Sequence, residues 1–223
     1  MNVRTLLLSA VAVVAVAGSA NAATIAGLYN TGVDDSGTVV TGNGADLHWT
    51  LNEGPAYTGA VNGQFPIGYW VPDNTTSRWI TPTPNAADSF DPSSDGFYNY
   101  VLSFNLTAAQ AADASFTGQF AADNTVDSIS LNGNALGGGG GFGSWSGFGA
   151  TAGDFVAGQN TLVFDVRNFA QNGGNPSGLN VEFLSSAAGA VPEPATWSMM
   201  LVGFTGMGAA LRGARRKQAL AAA

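Results

Sequence analysis

Residues 97–106 read FYNYVLSFNL, and from Tyr98 onward large apolar side chains occupy every second position. Successive side chains of a β-strand point to opposite faces, so alternate residues share a face. One face would hold Tyr98, Tyr100, Leu102, Phe104 and Leu106. The other would hold Asn99, Ser103 and Asn105. The run therefore predicts a strand that covers a hydrophobic core with one of its faces.

Other runs with the same two-residue period occur along the middle of the chain. They predict strands at Ser115–Phe120, Asp127–Leu131, Thr161–Asn168 and Leu179–Phe183, and shorter ones at Leu28–Thr31, Leu47–Leu51 and Ser77–Ile80. A single helical turn is expected within Ala108–Ala114. No other segment between the two ends of the chain has the apolar period of a helix. Eight or so short strands separated by turns predict one all-β domain, a β-sandwich or jelly roll.

The middle of the chain also carries a series of short motifs in a fixed order. They are Arg78-Trp79-Ile80, Ala121-Ala122-Asp123-Asn124, Leu131-Asn132-Gly133, Trp145 and the run from Phe155 to Asn168. This order resembles that of galactose-binding-domain-like jelly rolls, which are common among carbohydrate-binding modules. The resemblance implies a single jelly roll and does not identify a ligand, because the fold serves many functions.

The first 22 residues have the three parts of a secretory signal peptide. Arg4 supplies the charged start, Leu6–Ala17 is an apolar segment, and Ala20-Asn21-Ala22 is a small-residue cleavage motif before Ala23. Cleavage between Ala22 and Ala23 is therefore predicted, and an N-terminal signal helix would belong to the precursor only. The chain has no cysteine, which closes the lipoprotein route.

The C-terminal part combines two prolines, an apolar segment and a basic cluster. The segment WSMMLVGFTGMGAAL, residues 197–211, follows Pro192-Glu193-Pro194 and precedes Arg212, Arg215, Arg216 and Lys217. As a helix it would be roughly 22 Å long, against a hydrocarbon core of about 30 Å. Arginine side chains at its end can extend this reach. A short transmembrane helix is predicted, with its basic flank in the cytoplasm and the body outside.

The same residues resemble the PEP-CTERM sorting signal of Gram-negative bacteria. The match includes Pro192, Glu193 and Pro194, then Trp197, Met199-Met200-Leu201, Gly203-Phe204 and the terminal basic cluster. The resemblance implies processing by an exosortase, a membrane protease, in cells that typically make exopolysaccharide and form biofilm. An ordinary C-terminal membrane anchor is the alternative, although it would not need the Pro-Glu-Pro tripeptide.

These ends divide the chain into a signal peptide (1–22), a body (23–190), the sorting signal (191–217) and a tail (218–223). The body keeps only two basic residues, Arg78 and Arg167, against 14 of the 15 acidic ones, so its net charge is −12. Electrostatic binding to nucleic acid or anionic lipid is therefore excluded, whereas divalent cations remain open. The absence of cysteine also excludes disulfides and thiol chemistry.

Catalytic motifs are scarce. His48 is the only histidine, and no Gly-x-Ser-x-Gly elbow supplies a serine nucleophile. Glycoside hydrolysis needs a pair of carboxylates, and the body has only two glutamates, Glu53 and Glu182, beside its many aspartates. The protein is therefore expected not to be an enzyme and to need no cofactor, with a secreted hydrolase as an alternative.

One segment has part of the pattern of a calcium-binding loop. Asp91, Ser93 and Asp95 supply oxygen atoms at positions 1, 3 and 5, and Gly96 stands at position 6. Position 12, which should be a bidentate acid, is Leu102. Calcium is thus one candidate ligand and an ordinary turn is the other interpretation.

Aromatic residues in predicted loops form a second candidate site. Trp70 and Trp145 could stack on sugar rings, or they could close the open ends of the sandwich. The glycine run 137–141 near Trp145 is expected to be a flexible connection. The sequence thus predicts an exported, non-catalytic envelope or extracellular-matrix protein, tethered transiently by its tail, with polysaccharide as a candidate partner. A calcium-dependent carbohydrate-binding module is the runner-up.

Overall fold

A computed structural model describes residues 23–59, 68–189, 200–209 and 211–212 of the chain. The body is built almost entirely of strands, which confirms the all-β prediction. They are β1 (Gly44–Leu51), β2 (Gly54–Thr58), β3 (Ile80–Thr81), β4 (Gly96–Leu106), β5 (Ser115–Asp123), β6 (Thr125–Leu131), β7 (Asn134–Gly139), β8 (Ser146–Ala150), β9 (Gly158–Asn168) and β10 (Gly178–Ala187). The short helix α1 (Ala108–Ala112) falls where a helical turn was expected, and a 3-10 turn covers Ala152–Asp154.

The strands form one antiparallel sheet in the order β7-β6-β9-β4-β1-β2-β3-β10-β5-β8. The sheet curls on itself, so that the end strands β7 and β8 lie close together. In the interior, Phe164 of β9 contacts three other rings at centroid distances of 5.1 to 5.9 Å, those of Trp49, Phe120 and Phe148. The strands therefore form one continuous, curled sheet, whereas a sandwich would have two separate sheets.

Strand β4 has the predicted alternation. Tyr100, Leu102, Phe104 and Leu106 are buried, whereas Asn99, Ser103 and Asn105 are exposed. The whole strand pairs with β9, from Gly96 opposite Asn168 to Leu106 opposite Gly158. Ten residue steps correspond to roughly 33 Å, which is the length of this ladder.

The two ends of that ladder differ in what they carry. At the Leu106 end lies α1, whose first turn is fixed by a capping box between Thr107 and Gln110. The Gly189 N–H donates to the Gln110 carbonyl at 3.0 Å, and the Ala188 N–H donates to the Ala23 carbonyl at 2.7 Å. We call this the termini end. The opposite end, where β4 begins and β9 ends, is the loop end.

Three of the local predictions differ from the structure: the strand at 28–31, the flexible glycine run and the strand at Ser77–Ile80. Residues 28–31 form no strand, because Asn30 accepts the Phe183 N–H through its side chain at 2.7 Å and the Thr31 hydroxyl accepts the Val181 N–H at 3.0 Å. Beside these side-chain contacts, the Thr31 N–H donates to the Val181 carbonyl at 3.1 Å. The glycine run expected to be flexible supplies three residues of β7, and the region of Ser77–Ile80 yields only the two-residue strand β3.

The C-terminal segment is helical at residues 200–209 and 211–212. Its large apolar side chains are 49 to 66% exposed, and Arg212 is the last residue that the structure describes. Within the described ranges, no helix is both long and apolar enough to cross a bilayer. The other residues predicted for sorting and signal cleavage lie outside the described ranges, namely Ala20, Ala22, Pro192, Glu193, Pro194, Trp197, Arg215, Arg216 and Lys217.

Candidate functional site

The predicted calcium loop lies at the loop end, where its two aspartates have separate protein partners. The Asp91 carboxylate accepts hydrogen bonds from the Tyr98 hydroxyl and the Asn168 amide, both at 2.8 Å. Asp95 accepts the Ala170 N–H at 2.9 Å. Burial, together with the bond to Asp91, raises the pKa of Tyr98, so this hydroxyl keeps its proton as a donor. A calcium ion would have to displace these partners.

Ser93, the third residue of the predicted set, is exposed to solvent. Over the part of the chain that the structure describes, no three His, Asp or Glu side chains are grouped as a metal site would require. Calcium binding by this loop and an ordinary turn therefore both stay predictions.

Trp70 is only 4% exposed and belongs to a second, smaller hydrophobic cluster. We call this the tryptophan cluster: Trp70, Val71, Trp79 and Ala121, with Phe142 and Trp145 packed at its edge. The rings of Trp70 and Trp79 lie 4.1 Å apart, centroid to centroid. A buried indole cannot present its face to a sugar, so Trp70 has the packing role that was the alternative in the sequence. Trp145 is half-buried and keeps part of its surface in solvent.

Asp123 lies beside this cluster at the end of β5 and is nearly buried. Burial raises the pKa of its carboxyl group to about 7, and a hydrogen bond from the Trp70 side chain acts in the opposite direction. Its Oδ1 atom has no hydrogen-bond partner among the described residues. The group therefore changes its charge near neutral pH, and no pattern in the sequence predicts this.

Glu182 is a buried acid on β10 that is fully engaged by neighbouring polar groups. Its Oε1 atom accepts from Asn74, and from the Thr76 and Ser77 hydroxyls at 2.8 Å each. Its Oε2 atom accepts the Gln119 amide at 2.7 Å. Burial raises the pKa of Glu182, but these four donors outweigh it and the net pKa lies below the ordinary value. The group holds the 74–77 turn against the sheet.

The loop end exposes two phenylalanines on either side of an arginine. Phe97 is 63% exposed and stands directly opposite Arg167 in the β4–β9 ladder. Phe169 is 45% exposed, and the Arg167 guanidinium lies 5.2 Å from its ring centroid. The guanidinium also pairs with Asp127 at 2.9 Å.

Asp95 extends the acidic side of this region, since its carboxylate lies 4.0 Å from Arg167. We call these residues the Arg167 surface: Phe97, Arg167, Phe169, Asp95 and Asp127. It combines apolar rings with charged hydrogen-bonding groups, which is the chemistry that sugar-binding sites use. The sequence contains a signal for Phe97, because it is the only aromatic residue on a face of β4 that it shares with Asn99, Val101, Ser103 and Asn105.

A cleft of 360 Å³ opens between residues 24–37 and the last part of β10. Ile25, Leu28, Tyr29, Phe183 and Leu184 are among its lining residues. The Tyr29 ring also stacks on His48 with a centroid distance of 3.6 Å. His48 therefore has a packing role here, and its Nε2 atom lies 3.8 Å from Asp35.

Comparison with known proteins identifies the C-terminal segment. Residues 190–217 match the family model described as the PEP-CTERM protein-sorting motif. No curated protein matches the chain. The motif is the recognition signal for exosortase and indicates an exported protein that is targeted to the cell envelope. It begins at the residue after Gly189, where the body makes its last described contact with α1.

Proposed function

We propose that this protein is a non-catalytic component of the bacterial envelope or extracellular matrix, released from a membrane tether by an exosortase and associated with exopolysaccharide. The observation that carries the proposal is the sorting motif at residues 190–217. It directly follows the body, whose last strand is β10. The exposed apolar side chains of residues 200–212 support the tether, because such surface is stable when lipid covers it.

The processing step is tested by mass spectrometry of protein recovered from the envelope. The mature chain should begin at Ala23, end near Pro192 and lack Trp197 and the residues after it. Replacing Pro192, Glu193 and Pro194 by alanine should leave the uncut form in the membrane. A dominant mature form that still ends at Ala223 would contradict the proposal.

The Arg167 surface supports the association with polysaccharide. Its two exposed rings can cover the apolar faces of sugars, while the Asp95 and Asp127 carboxylates can accept hydrogen bonds from hydroxyl groups. The body has a net charge of −12, which disfavours anionic polymers. We therefore favour a neutral polysaccharide. A galactose-binding-like jelly roll is part of the same proposal, because such folds are common among carbohydrate-binding modules.

Retention of the released body on neutral polysaccharide tests this second part. Phe97→Ala and Phe169→Ala should each reduce retention while leaving the melting temperature nearly unchanged, because both rings are largely solvent-exposed. Leu47→Ala is the matched control, since Leu47 is also 63% exposed but lies on β1, outside the Arg167 surface. Equal retention of all three variants and the wild type would contradict glycan binding at this surface.

A further inference from the structure

The predicted signal peptide and the sorting motif join the body at the same point. The Ala188 N–H donates to the Ala23 carbonyl at 2.7 Å, and the bridge between these residues is antiparallel. In an antiparallel pair the residue before Ala23 lies on the side of the residue after Ala188. Ala23 and Gly189, the two boundaries of the body, therefore lie at one place.

Short connections join the body to the apolar segment of the predicted signal peptide and to that of the sorting motif. Six residue steps separate Ala17, the end of the predicted apolar signal segment, from Ala23, and eight separate Gly189 from Trp197. Fully extended chains of these lengths reach at most about 21 Å and about 28 Å. The β4–β9 ladder alone spans roughly 33 Å. Neither connection is long enough to let the body turn over while its termini end stays tethered.

From this geometry we propose that the tethered precursor holds its body in one orientation, with the termini end against the bilayer and the loop end directed outward. The inference rests on the membrane tether of the proposed function. The surface that meets the membrane includes α1, whose five residues carry no charge and whose Ala108, Ala109 and Ala112 are exposed, with one acidic residue, Asp113, at its C-cap. An uncharged helix can approach lipid head groups without the repulsion that an acidic surface would meet.

The opposite end carries the Arg167 surface, since Phe97 and Arg167 are paired next to the Gly96–Asn168 terminus of the ladder. Asp91, Asp95 and Asp127 lie at the same end. The orientation therefore presents the aromatic and acidic groups to the exterior while the chain is still attached. A polysaccharide outside the membrane would meet this surface before the exosortase releases the protein.

The chain has no cysteine, so single thiols can report on each end without background. Ala109→Cys would mark the termini end and Ser94→Cys the loop end, and both positions are exposed in the structure. Each is placed in the full chain with Pro192, Glu193 and Pro194 changed to alanine, so that the tail remains attached. Spheroplasts that produce these chains are treated with a bulky, membrane-impermeant polyethylene-glycol maleimide.

We expect Ser94→Cys to be labelled and Ala109→Cys to be protected, whereas both should be labelled in detergent. A Gly/Ser insertion of about twenty residues after Gly189, which would add a mean reach of about 25 Å, should expose Ala109→Cys when the signal peptide has been cleaved. Equal labelling of both thiols without the insertion would overturn the orientation. Protection of Ala109→Cys that persists despite the insertion would overturn it as well.

Extraction with alkaline carbonate separates this inference from the function on which it rests. A chain that stays in the membrane fraction but labels equally at both ends retains the tether and disproves the orientation alone. A chain that carbonate releases overturns both the tether and the orientation.

Discussion

Trp70 donates a hydrogen bond from its side chain to the Asp123 carboxyl group, and this contact joins the tryptophan cluster to the end of β5. The Gly178 backbone fits against the far edge of the same indole, where a Cβ atom would come within 3.1 Å of it. Both features require the large ring at this position. They make Trp70 a structural residue at the loop end of the body.

Trp70→Ala should therefore destabilise the body strongly. Removing a buried tryptophan side chain costs about 3–5 kcal/mol in the free energy of unfolding. Urea denaturation of the released body measures this loss. Trp145→Ala is the matched control, and it should cost less because Trp145 is only half-buried at the edge of the cluster. A larger loss for Trp145→Ala would contradict the packing described here.

Asp123 predicts a dependence of stability on pH. In the folded state the pKa of its carboxyl group is about 7, whereas an unfolded aspartate titrates near 3.9. Between these values the folded state binds more protons than the unfolded state, so stability should fall as pH rises from about 4 to about 7 and then level off. The difference between the two pKa values corresponds to at most about 4 kcal/mol.

Asp123→Asn isolates this effect when the free energies of unfolding at pH 5 and pH 8 are compared. The fall in stability between these pH values should be much smaller in the variant. Asp73 is a second acid whose pKa is raised by burial, so it is the group to examine if a part of the fall remains. The same fall in the wild type and the variant would show that Asp123 does not titrate in this range.

The two faces of β4 predict a contrast between neighbouring residues. Phe104 is buried in the main core and Asn105 is exposed on the outer face. Phe104→Ala should lower the free energy of unfolding by about 3–5 kcal/mol. Asn105→Ala should change it by no more than about 0.5 kcal/mol, the usual range for surface positions. Thermal or urea unfolding would reveal a wrong assignment of the faces if both variants lost similar stability.

Glu182→Gln should destabilise the body although it preserves the size of the side chain. The amide nitrogen of glutamine is a donor, and it would face a group that now donates a hydrogen bond to Glu182. At least one buried polar group would then be unsatisfied, at a cost of about 1–3 kcal/mol. Glu53→Gln changes the other glutamate of the body and should be nearly neutral, because Glu53 is exposed. Urea midpoints of the two variants at pH 7 test the difference, and equal midpoints would contradict it.

The sequence predicts the long central strands well because one physical pattern determines them. Large apolar side chains occupy every second position from Tyr98 to Leu106 in β4 and from Leu162 to Val166 in β9, and burial of that face fixes both the strand and its register. β7 carries no such pattern, since half of its residues are glycine. It forms a strand because β6 supplies pairing partners, which is a tertiary effect that local residue preference does not encode.

The site residues were harder to predict because exposure depends on the tertiary arrangement. The sequence around an aromatic residue in a predicted loop does not show whether its side chain is buried or exposed. Trp70 becomes buried when Trp79, nine residues later, and Gly178, far along the chain, pack against it. Phe97 and Phe169 flank one arginine only because β4 pairs with β9 in a particular register. The sorting motif needed no such information, since its recognition depends on consecutive residues.

The place of β10 in the sheet has a consequence for the timing of export. This strand is the last in the body, yet it lies inside the sheet between β3 and β5. During passage through a membrane in the N-to-C direction, β3 and β5 would emerge before the strand that pairs with both of them. The sheet could then be completed only when residues 178–187 had crossed, at the moment when the sorting motif itself reached the bilayer. Folding and arrest in the membrane would thus be nearly simultaneous, and the processing enzyme would meet a newly folded substrate.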